Sequence, residues 1–180
     1  EFYYDPKLAY SMHLALEGEG GFQALNHNSG VLFARATENE DGSLNAKSIR
    51  DPHLFVMRDG TYGVVAVRID GDGGEDPESI GKVLFFTSHD LLEYREEGFL
   101  AVCEAAVDRV VCHYDLEKEM YELCWCQSDQ WYGAELENIE CTGQKINGVK
   151  VEEMVLPSVE TEIEGAVAGN VISIPDEAAE

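Results

Sequence analysis

The sequence predicts an all-β domain, on three observations. Apolar and polar residues alternate over short segments, which is the period of a strand with one buried face. Asp59-Gly60 separates two such segments and is a favoured two-residue hairpin turn. Strong helical periodicity is nearly absent. The chain has 180 residues, of which 44% are hydrophobic. This is enough for a single domain, residues 1–180, with a hydrophobic core.

Strands and turns are predicted in order along the chain. The N-terminal part predicts a strand, a glycine-rich turn and a short return strand, at Tyr10–Leu16, Gly18–Gly21 and Phe22–Leu25. After the central hairpin, further strands are predicted at Lys82–Thr87, Val107–His113 and Met120–Cys126, and a last hairpin at Leu136–Val155 around Asn147-Gly148. Asp176–Glu180 is typical of the first turn of a helix, because acidic residues favour a helix N-terminus.

The central hairpin carries the strongest local signal. Its predicted strands are Leu54–Arg58 and Tyr62–Arg68. Pro52 cannot donate a hydrogen bond to a β-ladder, so we place it at the start of the first strand. Asp51 is then expected at the mouth of the hairpin, where a rigid scaffold can present a side chain to a ligand.

Charge excludes several classes of partner. The chain has 12 basic and 36 acidic residues, a formal net charge of −24. Such a surface repels nucleic acid and anionic lipid, so we expect neither as a partner. The chain contains no run of 18 apolar residues, and no membrane span is predicted. Neutral ligands such as sugars are compatible with this charge.

The five cysteines do not predict a disulfide framework, because their number is odd and their spacing irregular. Cys124 and Cys126 flank Trp125 in an apolar strand, and we expect them to pack as small apolar side chains. Cys-x-Cys is a poor zinc signature, so no metal site is predicted there. Free thiols favour a reducing, cytoplasmic compartment. The chain opens on Glu1, and secretion stays open if a signal peptide was removed.

One loop and one aromatic turn are candidate binding elements. The acidic segment Asp70–Asp76 lies within a long loop, Ile69–Ser79. It lacks the twelfth-position glutamate and the helices of an EF-hand, which leaves an irregular calcium site or a solvated acidic loop. Trp131 is predicted to lie in a turn and to stack on a ligand, whereas Trp125 is predicted to lie in the core.

Arg50-Asp51-Pro52, Phe55 and Asp59-Gly60-Thr61-Tyr62 resemble a motif of the five-bladed β-propeller glycoside hydrolases of family 43. Further segments with this resemblance are Gly81–Leu91, His113–Tyr121 and Ile163–Ala166. The resemblance covers most of the chain from about Tyr10. Five blades of the usual repeat length need on the order of 250–300 residues. The resemblance therefore implies a partial five-bladed propeller of about three blades, in a chain truncated at both ends.

The resemblance also implies a chemistry. The family hydrolyses arabinose- or xylose-containing plant polysaccharide by an inverting mechanism, without a resident cofactor. It implies Glu164 as the catalytic acid, Asp51 as the orienting carboxylate and Asp5, in Asp5-Pro6, as the general base. Substrate contacts are expected from Arg50 and His53, which lie in the matching motif, and from Trp131, which lies in a predicted aromatic turn.

Alternatives remain open for these residues. For Asp51 the alternative is a structural role, as a turn or cap residue that forms a local ion pair with Arg50. Glu164 continues an alternating acidic face with Glu160 and Glu162, and Asp5 suits a turn. The family's Trp-Ala-Pro-Glu signature is absent, since its place reads Val-Val-Cys-His. The alternative function is a non-catalytic carbohydrate-binding or structural propeller fragment. We expect the 180 residues alone to be inactive and to self-associate, because open blade edges would be exposed.

Overall fold

A computed structural model describes residues 10–152, 154, 156, 159–160, 162–163, 166–167 and 169–175. The described residues contain twelve β-strands, two short 3₁₀ helices and no α-helix, which confirms the all-β prediction. The strands are β1 Ala15–Gly18, β2 Gly21–Ala24, β3 Thr37–Glu38, β4 Leu44–Asn45, β5 Lys47–Val56, β6 Tyr62–Asp70, β7 Lys82–Ser88, β8 Tyr94–Ala101, β9 Arg109–Asp115, β10 Met120–Gln127, β11 Gln130–Leu136 and β12 Val149–Lys150. The 3₁₀ helices are Asn26–Asn28 and Pro77–Ser79. Within this part of the chain, no helix has the length and apolar character that crossing a membrane requires.

Two four-stranded antiparallel sheets form the body of the molecule. Strands β5, β6, β7 and β8 are neighbours in sequence order and form the first sheet. The second sheet continues the same pattern with β9, β10, β11 and β12. Strands β1 and β2 form a separate hairpin, as do β3 and β4. Each sheet is therefore a meander, in which every connection joins adjacent strands.

The central hairpin is confirmed, but its first strand spans Lys47–Val56 rather than the predicted Leu54–Arg58, so it both begins and ends earlier. The carboxylate of Asp59 accepts hydrogen bonds from the backbone N–H and the hydroxyl of Thr61, at 3.0 and 2.6 Å. Gly60 adopts a φ of 85°, which a side chain would strain. These features close the turn, and β5 then extends back to Lys47.

The main core lies between the two sheets. The first sheet contributes Val65 and Phe85, and the second contributes Val110, Leu123 and Trp125. Trp125 is 2% exposed, so its predicted core position is confirmed. A fully buried side chain of this kind contributes about 1.5–3 kcal/mol relative to an exposed one. Burial of these alternating residues accounts for the face-to-face packing of the sheets.

A second core covers the opposite face of the first sheet. Its members include Val64, Leu84 and Phe86 from the strands, and Met12 and Leu32 from the N-terminal segment. Ile172 and Ile174, near the end of the described chain, pack against the same cluster. The first sheet is consequently buried on both faces, with chain from both ends of the sequence covering one of them.

Two predicted elements near the ends differ from the structure. The predicted strand Tyr10–Leu16 is wrong in its bounds: β1 begins at Ala15, and Met12 makes only an isolated bridge to Leu32. The hairpin around Asn147-Gly148 is also wrong, because β12 pairs with β11 instead. A Cβ atom on Gly148 would lie 2.3 Å from the ring of Trp125. That glycine therefore serves close packing rather than a turn.

Besides the short strands β3 and β4, the sequence pattern missed β8 and β11. Strand β8 is rich in charge, and pairing with β7 rather than its own alternation holds it in the sheet. Strand β11 contains Trp131, so the predicted turn at that residue is wrong. The turn lies earlier, at Ser128 and Asp129, which have φ values of 49° and 60°.

The acidic loop after β6 is anchored by buried ion pairs. Lys47 Nζ lies 2.6 Å from the carboxylate of Asp70 and 2.9 Å from that of Asp76. Arg68 Nε lies 2.6 Å from the other oxygen of Asp76, whose side chain is fully buried. Burial by itself would raise the pKa of the Asp76 carboxyl, but hydrogen bonds from Lys47, Arg68 and the Glu78 N–H outweigh it and lower the pKa.

Candidate functional site

The Asp51 motif forms a β-bulge inside β5. Arg50 opposes Val67 and His53 opposes Val65, so Asp51 and Pro52 together face a single residue of β6. Asp51 adopts a φ of 48°, a left-handed conformation that costs on the order of 1–3 kcal/mol in a residue other than glycine. The prediction that Pro52 starts the strand is wrong; proline is tolerated here because the ladder is interrupted. Bulges of this kind often redirect a side chain next to a site.

The Asp51 carboxylate has few protein partners. Its side chain is 30% exposed and lies 3.6 Å from the Nε of Arg50, so the local ion pair considered from the sequence is present. Within the described part of the chain it makes no hydrogen bond. Its remaining lone pairs can therefore accept hydrogen bonds from a ligand hydroxyl.

Arg50 connects the bulge to the second sheet. Its Nη2 donates to the carbonyl oxygens of Val107 and Asp108, at 3.3 and 3.2 Å. These carbonyls directly precede β9, and the Arg50 side chain stays 41% exposed. Arg50 also lines a shallow cavity between the sheets with Arg68, Ile80 and Asp108. Arg50 thus serves a structural contact while part of its guanidinium remains at the surface.

His53 makes a second contact across the same seam. Its Nδ1 accepts a hydrogen bond from the backbone N–H of Cys112 at 3.4 Å. Burial, with a smaller contribution from the charge of His113, lowers the pKa of His53 to about 4. The ring is consequently neutral at pH 7, and because Nδ1 is the acceptor its proton is on Nε2.

The outer edge of β5 is covered on either side of the bulge but not at it. On one side, the backbone N–H of Ile49 donates to the carbonyl of Tyr10 at 3.2 Å. On the other, the side chain of Asn170 hydrogen-bonds to both main-chain groups of Leu54. A Cβ atom on Gly169 would also lie 3.8 Å from the Pro52 carbonyl oxygen, so among the described residues the opening in this covered strand edge is confined to Asp51.

Two predicted catalytic residues, Asp5 and Glu164, lie outside the described residues. The described residues nearest to Glu164 in sequence are Ile163 and Ala166, where the Ala166 N–H donates to the Ile163 carbonyl at 3.2 Å. Further along the chain, and shortly after Asp5, described residues contact β5. Tyr10, five residues after Asp5, contacts Ile49. Asn170, six residues after Glu164, contacts Leu54. Both flanking segments thus reach the strand that carries Asp51.

Trp131 is not brought to the bulge. Its neighbour Tyr132 stacks on Trp125 on the core-facing side of the second sheet, with ring centroids 6.2 Å apart. Successive strand residues point to opposite faces, so Trp131 lies on the face turned away from the first sheet. It is partly buried there and pairs with Cys126 on β10.

Metal-binding chemistry finds little support in the described residues. No group of three or more His, Cys, Asp or Glu side chains is arranged to hold a metal ion in that part of the chain. In the acidic loop, Asp70 and Asp76 already pair with the cations of Lys47 and Arg68. The carboxylate of Asp72 accepts from the N–H of Gly74 at 2.9 Å. All five cysteines are free thiols, and burial raises the pKa of the Cys112 thiol.

Sequence reasoning missed Asn170. It precedes a segment in which Ile172 and Ile174 are partly buried while Val171 and Ser173 are exposed. That alternation predicts an extended segment with one buried face. It does not reveal that the asparagine amide would bind a strand 116 residues away.

Comparison with protein-family models, with curated proteins and with solved structures gave no match for the chain.

Proposed function

We propose that this chain is a partial five-bladed β-propeller and a glycoside hydrolase that resembles family 43. Its substrate would be arabinose- or xylose-containing plant polysaccharide. The proposed roles are Glu164 as acid, Asp5 as general base and Asp51 as orienting carboxylate. Arg50 and His53 flank Asp51 and are the proposed substrate contacts; Trp131, on the far face of the second sheet, is left out of this site.

The arrangement of the two sheets supports the propeller proposal. Neighbouring blades of a propeller are four-stranded antiparallel sheets that follow one another in sequence around a central channel. The first and second sheets are two such consecutive meanders, packed face to face. Strands β5 and β9, the first strand of each sheet, are in contact with each other. First strands that converge on one side are what neighbouring blades require.

The observation that carries the proposed activity is the opening at the Asp51 bulge. Asp51 is held in a strained conformation, with its carboxylate partly exposed, between the contacts that Tyr10 and Asn170 make with the edge of β5. Tyr10 and Asn170 follow Asp5 and Glu164 by five and six residues in the sequence.

The chemistry requires two of these carboxylates to act directly on the glycosidic bond. In an inverting hydrolase the acid protonates the leaving oxygen, while the base removes a proton from water that attacks the opposite face of the sugar. The two groups stand about 6.5–9.5 Å apart, which leaves room for that water. The third carboxylate, Asp51, would accept hydrogen bonds from sugar hydroxyls and orient the ring.

The test is hydrolysis of chromogenic arabinofuranosides and xylosides by the full-length protein. We expect Asp51→Asn and Glu164→Gln each to abolish turnover while the melting temperature stays nearly unchanged. Asp129→Asn is the matched control for Asp51, because Asp129 is exposed and also has a positive φ of 60°. Glu117→Gln, at an exposed hairpin tip, is the control for Glu164.

The stereochemistry of the product provides the second half of this test. NMR of the first-formed sugar should show the anomer opposite to that of the substrate. A wild-type protein without activity on any arabinoside or xyloside would contradict the proposed function. Retention of configuration would contradict the mechanism alone.

A non-catalytic carbohydrate-binding fragment is the second candidate. It is favoured by the contacts of Arg50 and His53, since each spends part of its hydrogen-bonding capacity on the main chain near β9. This candidate predicts that isothermal titration detects binding of xylo-oligosaccharide, that Asp51→Asn weakens the binding, and that no sugar is released.

A further inference from the structure

The N-terminal segment carries a chain of hydrogen bonds between a serine, a histidine and an asparagine. The hydroxyl of Ser11 lies 3.1 Å from Nε2 of His13, and Nδ1 of the same ring lies 3.2 Å from Oδ1 of Asn28. His13 and Asn28 are exposed, and Ser11 is half-buried. A hydroxyl beside an imidazole that a third group orients is the arrangement of an activated nucleophile.

The backbone around Met12 places the serine and the histidine side by side. The Met12 N–H donates to the carbonyl of Leu32 at 3.0 Å, and its carbonyl accepts from the N–H of Val31 at 2.8 Å. The Met12 side chain is buried. Successive residues of an extended chain point in opposite directions, so Ser11 and His13 both point away from the core that holds Met12.

A left-handed turn brings the asparagine to this pair across 15 residues of sequence. Asn26, His27 and Asn28 have φ values of 50°, 54° and 58°. Asparagine adopts this conformation more readily than most residues. The Asn28 N–H donates to the carbonyl of Leu25, and the Ser29 N–H donates to that of Asn26, both at 2.9 Å. These bonds hold the Asn28 amide next to His13.

Asn28 decides which nitrogen of His13 carries the proton. An amide oxygen only accepts hydrogen bonds, so Nδ1 of the ring must donate to it. In the neutral ring the lone pair is then on Nε2, which is the atom that faces the Ser11 hydroxyl. This is the tautomer that a general base needs in order to take the serine proton.

The Ser11 hydroxyl also lies beside an aromatic ring. A Cβ atom on Gly30 would lie 2.4 Å from Oγ of Ser11 and 2.8 Å from Cζ of Phe33. Only glycine at this position therefore lets the hydroxyl and the ring lie so close to its backbone. Phe33 is 45% exposed, so its ring offers an apolar surface next to the hydroxyl. Such a surface suits an uncharged, apolar acyl group.

We propose that Ser11 and His13 form a site that hydrolyses carboxylic esters with a small apolar acyl group. The site shares no residue with the proposed glycosidase site and does not depend on that activity. Ser11 and His13 are its catalytic residues. Asn28 is a positioning residue, which acts through the ring of His13.

The reaction proceeds in two balanced steps. Oγ of Ser11 attacks the ester carbonyl carbon and gives its proton to Nε2 of His13; the bond to the alcohol oxygen breaks, and the alcohol leaves with that proton. Water then gives a proton to Nε2 and attacks the acyl group, and Oγ regains the proton as its bond to carbon breaks. One ester and one water yield one acid and one alcohol.

The nucleophile is tested by covalent labelling with an alkyl fluorophosphonate, which loses fluoride when a serine oxygen bonds to phosphorus. Peptide mapping should place the adduct on Ser11, formed about a hundredfold faster than any adduct on Ser43. Ser43 is the matched control, because it is exposed and hydrogen-bonds to Asp41 and Asn39 instead of a histidine. Absence of an adduct on Ser11 would overturn the proposal.

The general base is tested in the same experiment. His13→Gln should slow labelling of Ser11 about a hundredfold or more, since it removes the proton acceptor. His27→Gln is the control, because His27 is an exposed histidine in the adjacent turn. Labelling that is as fast in His13→Gln as in the wild type would show an unactivated serine and would overturn the proposal.

Hydrolysis of p-nitrophenyl acetate distinguishes the serine from a histidine that reacts with the ester directly. Ser11→Ala should lower the rate to that of His13→Gln, because neither variant keeps the pair. A rate in Ser11→Ala equal to that of the wild type would assign the reaction to His13 alone and would overturn the role of Ser11. Circular dichroism checks that each variant is folded.

The positioning role of Asn28 is tested by a conservative and a disruptive variant. Asn28→Leu removes the acceptor that fixes the tautomer, so labelling of Ser11 should slow about tenfold or more. Asn28→Asp keeps an acceptor and should restore at least the wild-type rate. Equal rates in Asn28→Leu and the wild type would overturn the positioning role.

Discussion

The two four-stranded sheets place similar charges in opposite surroundings. In the first sheet, Lys47 and Arg68 share the Asp76 carboxylate, and all three side chains are at most 8% exposed. In the second sheet, Lys118 contacts Glu122 and Glu135 with its side chain 48% exposed. A buried ion pair whose partner is removed strongly destabilises the fold, whereas an ion pair exposed to solvent contributes little to stability. Only the first cluster should matter for stability.

The apolar residues of the sheets show the same contrast. In β6, Val64, Val65, Ala66 and Val67 are all buried, because both faces of the first sheet are covered. In β10, buried residues such as Leu123 alternate with partly exposed ones. A continuous apolar run marks a strand between two layers, and alternation marks a strand with one covered face. The apolar run in β6 and the alternation in β10 can be read from the sequence, but the segments that cover the first sheet cannot.

The largest effect is expected from Asp76→Asn in the buried cluster. Removing this charge leaves the cations of Lys47 and Arg68 without their shared partner, which costs about 3–5 kcal/mol in the free energy of unfolding. Urea unfolding measures it. Glu78→Gln is the control, since Glu78 pairs with Arg68 from a side chain that is 59% exposed. Equal losses in both variants would remove the distinction between the clusters.

The next prediction compares an apolar side chain from each sheet. Leu84 is fully buried in the first sheet, so Leu84→Ala should lower the free energy of unfolding by about 2–5 kcal/mol. Val111 lies on the outer face of the second sheet and is only partly buried, so Val111→Ala should cost about 1 kcal/mol or less. A large loss at Val111 would show that this face is covered as well.

His53, on the seam between the sheets, predicts a pH dependence. In the unfolded chain the pKa of His53 is about 6.5, whereas in the folded protein it is lowered to about 4. Stability is therefore full above pH 6.5 and falls as the pH drops towards 4, by roughly 3 kcal/mol at most. His53→Gln should flatten this part of the profile, measured by urea unfolding between pH 7 and 5. His89→Gln, at an exposed turn, should not change it.

The smallest effect is expected from the exposed cluster. Lys118→Met removes the contacts with Glu122 and Glu135, although hydrogen bonds to these carboxylates raise the pKa of the Lys118 amine. Solvent and salt screen such charges, so thermal unfolding should show no resolvable change in Tm. A fall in Tm comparable to that of Asp76→Asn would contradict the proposed contrast between the sheets.

Several elements could be predicted from the local sequence, because contacts between neighbouring residues form them. Asp59-Gly60 closes a hairpin through contacts within three residues, so alternation on either side predicted β5 and β6. Strand β11 and the role of Gly148 were not predictable in this way. Gly148 resembles a turn residue in sequence, yet its position is set by the ring of Trp125, which it contacts only in the folded chain.

The sequence by itself determined an all-β chain, the central hairpin, the core position of Trp125 and the acidic net charge. These depend on period, turn chemistry and composition, which are properties of neighbouring residues. Only the tertiary structure decided that Asp51 lies in a bulge and that Asn170 caps Leu54. It also decided that Lys47 occupies the acidic loop. Each of these joins groups far apart in the chain, and the pairing depends on which strand edges and charges the packed sheets leave unsatisfied.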